Sequence, residues 1–203
     1  PVFFSSDFET QRVALYGELN INLNDSISLS FGGRWENYDD EYRDSAAVDA
    51  SPRGNLWGAK FSIEYILRES VLAYGSISRG YKTGGINGQA VSGASIASSQ
   101  AINDFLTERL AFESESLVNY EVGMKGIFHN GGLIIDMSAF IMDRNDMQAK
   151  AWVLFPPANW QSYIDNVDRG KNLGVELSVI WDIFESLTVE AGAAKADFTL
   201  TAK

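Results

Sequence analysis

Val13–Leu23 reads VALYGELNINL, and after a short turn at Asn24-Asp25 the stretch Ile27–Trp35 reads ISLSFGGRW. Both have a period of two. Val13, Leu15, Gly17, Leu19, Ile21 and Leu23 fall on one side of an extended chain, and Ala14, Tyr16, Glu18, Asn20 and Asn22 on the other. In the second stretch Ile27, Leu29, Phe31, Gly33 and Trp35 alternate with Ser28, Ser30, Gly32, Arg34 and Glu36. Successive side chains of a strand point to opposite faces, so this pattern specifies a β-hairpin with one apolar and one polar face.

The pattern recurs along the chain. Trp57–Leu67 and Val71–Ile77 form a second pair around Arg68-Glu69. Tyr120–Met124 and Leu133–Ile141 form a third around His129-Asn130-Gly131, whose Asn-Gly step is a hairpin signal. Leu173–Trp181 and Leu187–Ala193 form a fourth. The expectation is about eight long antiparallel strands in four hairpins. Between the hairpins lie three longer stretches, Asn37–Asn55, Lys82–Phe112 and Lys150–Gln161, read as loops.

The apolar faces of these stretches carry no charge. The opposite faces carry Glu18, Arg34, Glu36, Lys60, Glu64, Glu121, Lys125, Asp136, Glu176 and Glu190. So many ionisable groups cannot sit in a dry core. Clean apolar faces, polar opposite faces and strictly alternating short and long connections are the signature of a transmembrane β-barrel, with short periplasmic turns and long outer loops. The strands approach the 9 to 11 residues, roughly, that a tilted strand needs to cross the hydrocarbon layer. Trp35, Trp57, Tyr65, Trp181 and Phe184 fall near strand ends, where amphipathic rings favour the headgroup level. No apolar run is long enough for a membrane helix.

Composition excludes several classes. The 203 residues carry a net charge of −11 and no cysteine. That opposes nucleic-acid binding, which needs clustered cations, and removes disulfides, thiolate metal sites and thiol catalysis. His129 is the one histidine and lies in a short turn, so no catalytic triad or metal centre is expected, and no cofactor. Not an enzyme is the expectation.

Tyr74–Asn87, YGSISRGYKTGGIN, resembles a hallmark of TonB-dependent outer-membrane receptors: aromatic-x-Ser-x-Ser-x-Gly-aromatic-Lys-x-Gly-Gly-aromatic-Asn, with Ile86 in place of the last aromatic. Glu115–Lys125, Ala139–Gln148, Asp165–Val167 with Gly174–Leu177, and the Gly-Gly-Arg-Trp ending at Trp35 resemble the same family in the expected order. The resemblance implies a 22-stranded barrel in the bacterial cell outer membrane, closed by an N-terminal plug domain. It implies active uptake of a scarce, bulky nutrient, a ferric siderophore first of all, energised through a TonB-type complex acting on the plug. With Pro1 at the start and Lys203 at the end, the chain is expected to be a partial barrel, 1–203, with the plug and the barrel C-terminus lying outside it.

Within the hallmark, Arg79, Gly80, Tyr81, Lys82, Gly84, Gly85 and Asn87 are read as structural first: the glycines for bends where the strand leaves the membrane, Arg79 and Lys82 for lipid phosphates. Trp152, Trp160 and Tyr163, together with Phe155 and beside Pro156-Pro157, are read first as packing or interface anchors of the third loop, and second as candidate aromatics that stack on a sugar or catecholate-type ligand. Asp39, Asp40, Glu41, Asp44 and Asp49 form an acidic loop whose spacing matches no defined Ca²⁺ site and reads as solvated. Ser92–Ser99 reads as flexible loop. Two alternatives remain: a secreted β-sandwich that binds glycans, and an outer-membrane enzyme barrel, for which His129 sits at the wrong end.

Overall fold

The computed structural model describes residues 4–96, 100–155 and 159–201. In chain order the elements are β1 (Ser6–Asn22), β2 (Ile27–Asp44), β3 (Asp49–Ala50), β4 (Arg53–Arg68), β5 (Val71–Lys82), β6 (Gly85–Ile86), α1 (Gly88–Ile96), α2 (Gln100–Thr107), β7 (Ala111–Phe112), β8 (Glu115–Phe128), β9 (Leu133–Phe155), β10 (Asn159–Phe184) and β11 (Leu187–Thr201). The eight long strands form one antiparallel sheet in the order β1-β2-β4-β5-β8-β9-β10-β11. Each neighbours the next long strand in the chain, with no crossover. A β-sandwich would need two layers and exchanged strands, so that alternative fails.

The expected pairings form. Leu15 lies opposite Trp35, Trp35 opposite Trp57, and Phe31 opposite Phe61, with those two rings 5.0 Å apart. The apolar face stays uncovered: Val13, Leu15, Val122 and Val175 are all more than half exposed. A face this broad, aligned over eight strands, inverts the burial of a soluble protein. Among the described residues the one buried apolar cluster is small, Ala90, Val91 and Leu106, and it belongs to the helices.

Register shows that the strands are staggered. One row runs Leu19, Phe31, Phe61, Ile77, Tyr120, Ile141, Leu173, Asp197. Leu19 is four residues from Leu23, where its short turn begins, whereas Asp197 is ten residues from Leu187. The row therefore climbs away from the short turns as it crosses the sheet, as tilted strands of a closing barrel require. The climb also accounts for an exception. The apolar column of β11 continues from Ala193 into Lys195 and Asp197, which the stagger lifts towards the far edge of the wall.

Two of the three expected loops are corrected. Strand pairing continues through most of Asn37–Asn55: β2 runs on to Asp44, paired with β1 throughout, and β4 begins at Arg53. It also covers the described residues of Lys150–Gln161, up to Phe155 on β9 and from Asn159 on β10, where Trp160 pairs with Leu154 and Gln161 with Val153. Ladder hydrogen bonds and cross-strand pairs hold these arms in register after the alternation of apolar residues has stopped. Only Lys82–Phe112 is a long connection, and it is not a plain loop. It holds α1 and α2, and Ser92 is a buried member of α1. Pro156, Pro157, Ser98 and Ser99, and the side chain of Phe155, lie outside the described residues.

Candidate functional site

The hallmark stretch forms the junction between the wall and the helical insert. Arg79 lies on the apolar face with its guanidinium 4.0 Å from the centre of the Trp57 ring, and it donates to the Trp57 carbonyl. Tyr81 joins the polar side instead. Its hydroxyl donates to Glu36 at 2.9 Å and accepts from Arg34 at 2.9 Å. Glu36 is also bound by Arg34 at 2.7 Å and Arg12 at 3.4 Å, and Arg12 continues to Asp40 at 3.2 Å and to the Thr83 hydroxyl at 3.0 Å. Glu36 and Asp40 are buried. This ladder ties β1, β2 and β5 together by charge-assisted hydrogen bonds.

Gly84 and Gly85 serve close approach. A Cβ at Gly84 would meet the Phe112 carbonyl, and one at Gly85 the Phe112 ring. This lets β6 pair with β7, Gly85 against Phe112. A Cβ at Gly80 would meet open space, so no crowding demands glycine there. Asn87 is buried and caps α1, its carbonyl accepting from Ala90 and Val91. Its side-chain amide donates to the carbonyls of Arg109 and Ile164, and its side-chain oxygen accepts the Ile164 N–H. It thus binds β10 along the edge turned away from β9.

The acidic stretch divides: Asp39, Glu41 and Asp49 are exposed, whereas Asp40 is buried and Asp44 half-buried. Arg12 takes Asp40, and Arg43 reaches Glu41 and Asp49. Asp44 accepts from the Tyr42 and Ser92 hydroxyls and from the N–H groups of Ala46 and Val48. Burial pushes the Tyr42 phenol up to about 12, helped by its hydrogen bond to Asp44. Burial also pushes against ionisation of Asp44, but its donors outweigh that and hold the carboxyl below its ordinary range.

Between β2, α1 and the β9–β10 arm lies a cavity of about 580 Å³. Its polar lining includes Tyr42, Lys82, Gln89, Gln148, Lys150 and Gln161, and it contains no carboxylate. Two ammonium-bearing residues thus line it in a chain of net charge −11. Of the three candidate aromatics, Tyr163 lines this cavity and packs edge-on against Phe105 at 5.5 Å. Trp152 and Trp160 do not join it. By register they share the opposite face of the arm with Leu154 and are 56% and 63% exposed. Lys150 links the two regions, its ammonium 4.7 Å from the Trp152 ring centre. Alternation signalled neither Lys150 nor Gln148. Gln148 nonetheless donates to the carbonyls of Thr83 and Glu113 and so fastens the insert to β9.

A family model described as TonB dependent receptor-like, beta-barrel matches residues 1–202. The chain belongs to the TonB-dependent receptor β-barrel family. That family comprises receptors and transporters. Solved structures share the fold at low identity. The ferric yersiniabactin uptake receptor FyuA from Yersinia pestis superposes with a TM-score of 0.66 at 18% identity, over 97% of this chain and 29% of that one. The siderophore receptor PiuA from Acinetobacter baumannii gives 0.72 at 18% identity, over 97% and 26%. The copper transporter OprC gives 0.73 at 13% identity, over 96% and 30%. This TonB-dependent receptor chain therefore spans less than a third of each of those proteins. No curated protein matches it.

Proposed function

We propose that the chain is part of the wall of a bacterial outer-membrane receptor that takes up a bulky, anionic metal chelate, a ferric siderophore first of all. The cavity beneath α1 is the part of the wall that touches it. The observation that carries this reading is that Lys82 and Lys150 both line one cavity, with amide and phenol groups and no carboxylate. Ammonium groups and amide donors suit an oxygen-rich anion. The exposed rings of Trp152 and Trp160 beside Lys150 offer flat surfaces to an aromatic chelator. Family membership and the named uptake receptors of the same fold support the wider reading. In it, outer-membrane lipid covers the apolar face, a plug domain fills the lumen beside the polar face, and a TonB-type complex acts through that plug.

The test is binding of a ferric tricatecholate to the intact receptor, followed by tryptophan fluorescence. Replacing both lysines (Lys82→Gln with Lys150→Gln) should weaken binding about 10-fold or more, because charged hydrogen bonds contribute about 1.5 to 3 kcal/mol each. A neutral ferric hydroxamate should lose much less. Equal affinity of the wild type and the double variant for the tricatecholate would overturn the assignment of the cavity.

A further inference from the structure

Opposite charges that stand directly opposite on neighbouring strands attract each other. Lys125 and Asp136 show the usual outcome. They are register partners on β8 and β9, and their side chains meet at 3.1 Å. Lys82 and Glu115 are register partners in the same way, at the outer end of the β5–β8 ladder. Their Cβ atoms therefore stand on one face about 5 Å apart, well within the reach of two long side chains. They nevertheless make no ion pair. Among the described residues Glu115 pairs with Arg144, and Lys82 has no carboxylate partner.

The carboxylate is turned the other way. Its Oε1 accepts from the Arg144 guanidinium at 3.0 Å, and its Oε2 accepts the Gln148 N–H at 3.0 Å. Both donors belong to β9, which flanks β8 on the side away from β5. Glu115 is buried, so water competes little for it. Such a carboxylate needs a cation, and losing that cation is strongly destabilising. Of the two cations in reach, the guanidinium suits the buried position better. It is more weakly hydrated than an ammonium and presents its donors in a fixed fork. Lys82 is left to the cavity beneath α1, whose lining it shares with Lys150 and with no carboxylate.

We infer that Arg144 is a positioning residue for this cavity: it holds Glu115 away from Lys82 and so keeps the Lys82 ammonium open to an anionic ligand. The inference rests on the reading of the cavity as the seat of an anionic chelate. Arg144 acts through Glu115 and needs no contact with the ligand. Without it, the buried carboxylate takes its register partner Lys82 as the replacement cation, and the cavity loses one of its two ammonium groups to an internal pair.

The test begins without ligand. The intact receptor in detergent is treated with a water-soluble amine-acylating reagent, and modification of Lys82 is read by peptide mass spectrometry. Arg144→Gln should lower the labelling of Lys82 about 5-fold, the factor that corresponds to an opposite-charge cross-strand pair. Affinity for a ferric tricatecholate should fall by a similar factor. Adding Glu115→Gln to Arg144→Gln removes the competing carboxylate and should restore both labelling and affinity, which a merely structural loss would not do. Arg144→Met keeps the reach of the side chain and serves as a second neutral variant, with folding checked by the heat-dependent shift of the band on a gel. Wild-type labelling of Lys82 in the folded Arg144 variants, or no recovery in the double variant, overturns the role of Arg144 while leaving the cavity assignment intact. Lowered labelling with unchanged affinity for the tricatecholate supports the hold of Arg144 on Glu115 and overturns the cavity assignment instead.

Discussion

The Asn87 side chain holds both backbone groups of Ile164, donating to its carbonyl at 2.7 Å and accepting from its N–H at 2.9 Å. It acts as a one-residue strand along the edge of β10 turned away from β9. Asn87→Ala should leave those groups and the Arg109 carbonyl without their partner, at a cost of about 2 to 4 kcal/mol to the docking of the insert. Asn87→Asp keeps the acceptor and loses the donors, so its cost should be intermediate. Limited proteolysis within α1 and α2, and amide exchange at Ile164, report the effect. Unchanged protection in the alanine variant would remove Asn87 from this role.

Asp44 gives the same docking a pH dependence. The donors around it lower its carboxyl from an ordinary 3.8, against the opposing pull of burial. A group lowered in the folded state stabilises above its unfolded value, and that contribution fades as the pH falls through the folded value. Protection of α1 should therefore stay flat from about pH 8 to about pH 5 and decline only below the ordinary carboxylate range. Ser92→Ala, which removes one donor, should move the decline upward. Tyr42 titrates at the other extreme: its phenolate absorbance should appear only near pH 12. A decline beginning near neutrality would mean that another group controls the insert.

The ladder through Glu36 should be felt far from any ligand. Tyr81→Phe removes one hydroxyl and should cost about 1 kcal/mol. Glu36→Ala leaves Arg12 and Arg34 facing each other with no shared acceptor, and should cost more, about 1 to 3 kcal/mol given that both arginines reach solvent. Thermal unfolding in detergent gives the order. Equal costs for the two variants would mean that the carboxylate is not the hub.

The two faces predict opposite tolerance to charge. Val122→Arg places a cation on the apolar face and should cost about 2 to 4 kcal/mol in a bilayer. Ser76→Arg, on the polar face and level with Glu121, should be nearly neutral. Refolding from urea into lipid vesicles measures both. Equal tolerance would contradict the assignment of the faces.

Much of the wall was legible in the sequence because strand pleating writes it there residue by residue. Alternation around Val13, Phe31 and Ile135 assigned faces, and the turns at Asn24-Asp25 and Asn130-Gly131 set the pairings that formed. The arms beyond Asn37 and Lys150 were not legible. Their partners are polar and lie across a strand, as Arg12 does from Glu36 and Asp40, so no local period marks them. The insert was hidden for a different reason. Its glycines, serines and alanines read as slack chain, yet α1 is seated by Tyr42, Asp44 and Ile164, none of which is near it in sequence. Of the candidate residues, the hallmark stretch was found by its resemblance, whereas the cationic lining at Lys150 was not. It lies on an arm whose sequence, without apolar alternation, reads as loop.

The arm formed by β9 and β10 is built from 23 and 26 residues, against 17 and 18 for β1 and β2. On a staggered wall that difference makes the rim uneven, with the β9–β10 arm a mast beside the shorter β1–β2 arm. In the proposed function its exposed tryptophans meet an arriving chelate first, and the lysines of the cavity second. Encounter and grip then share one pair of strands. Shortening the mast would slow arrival and also remove the ring surfaces beside Lys150, while leaving the lysines themselves in place.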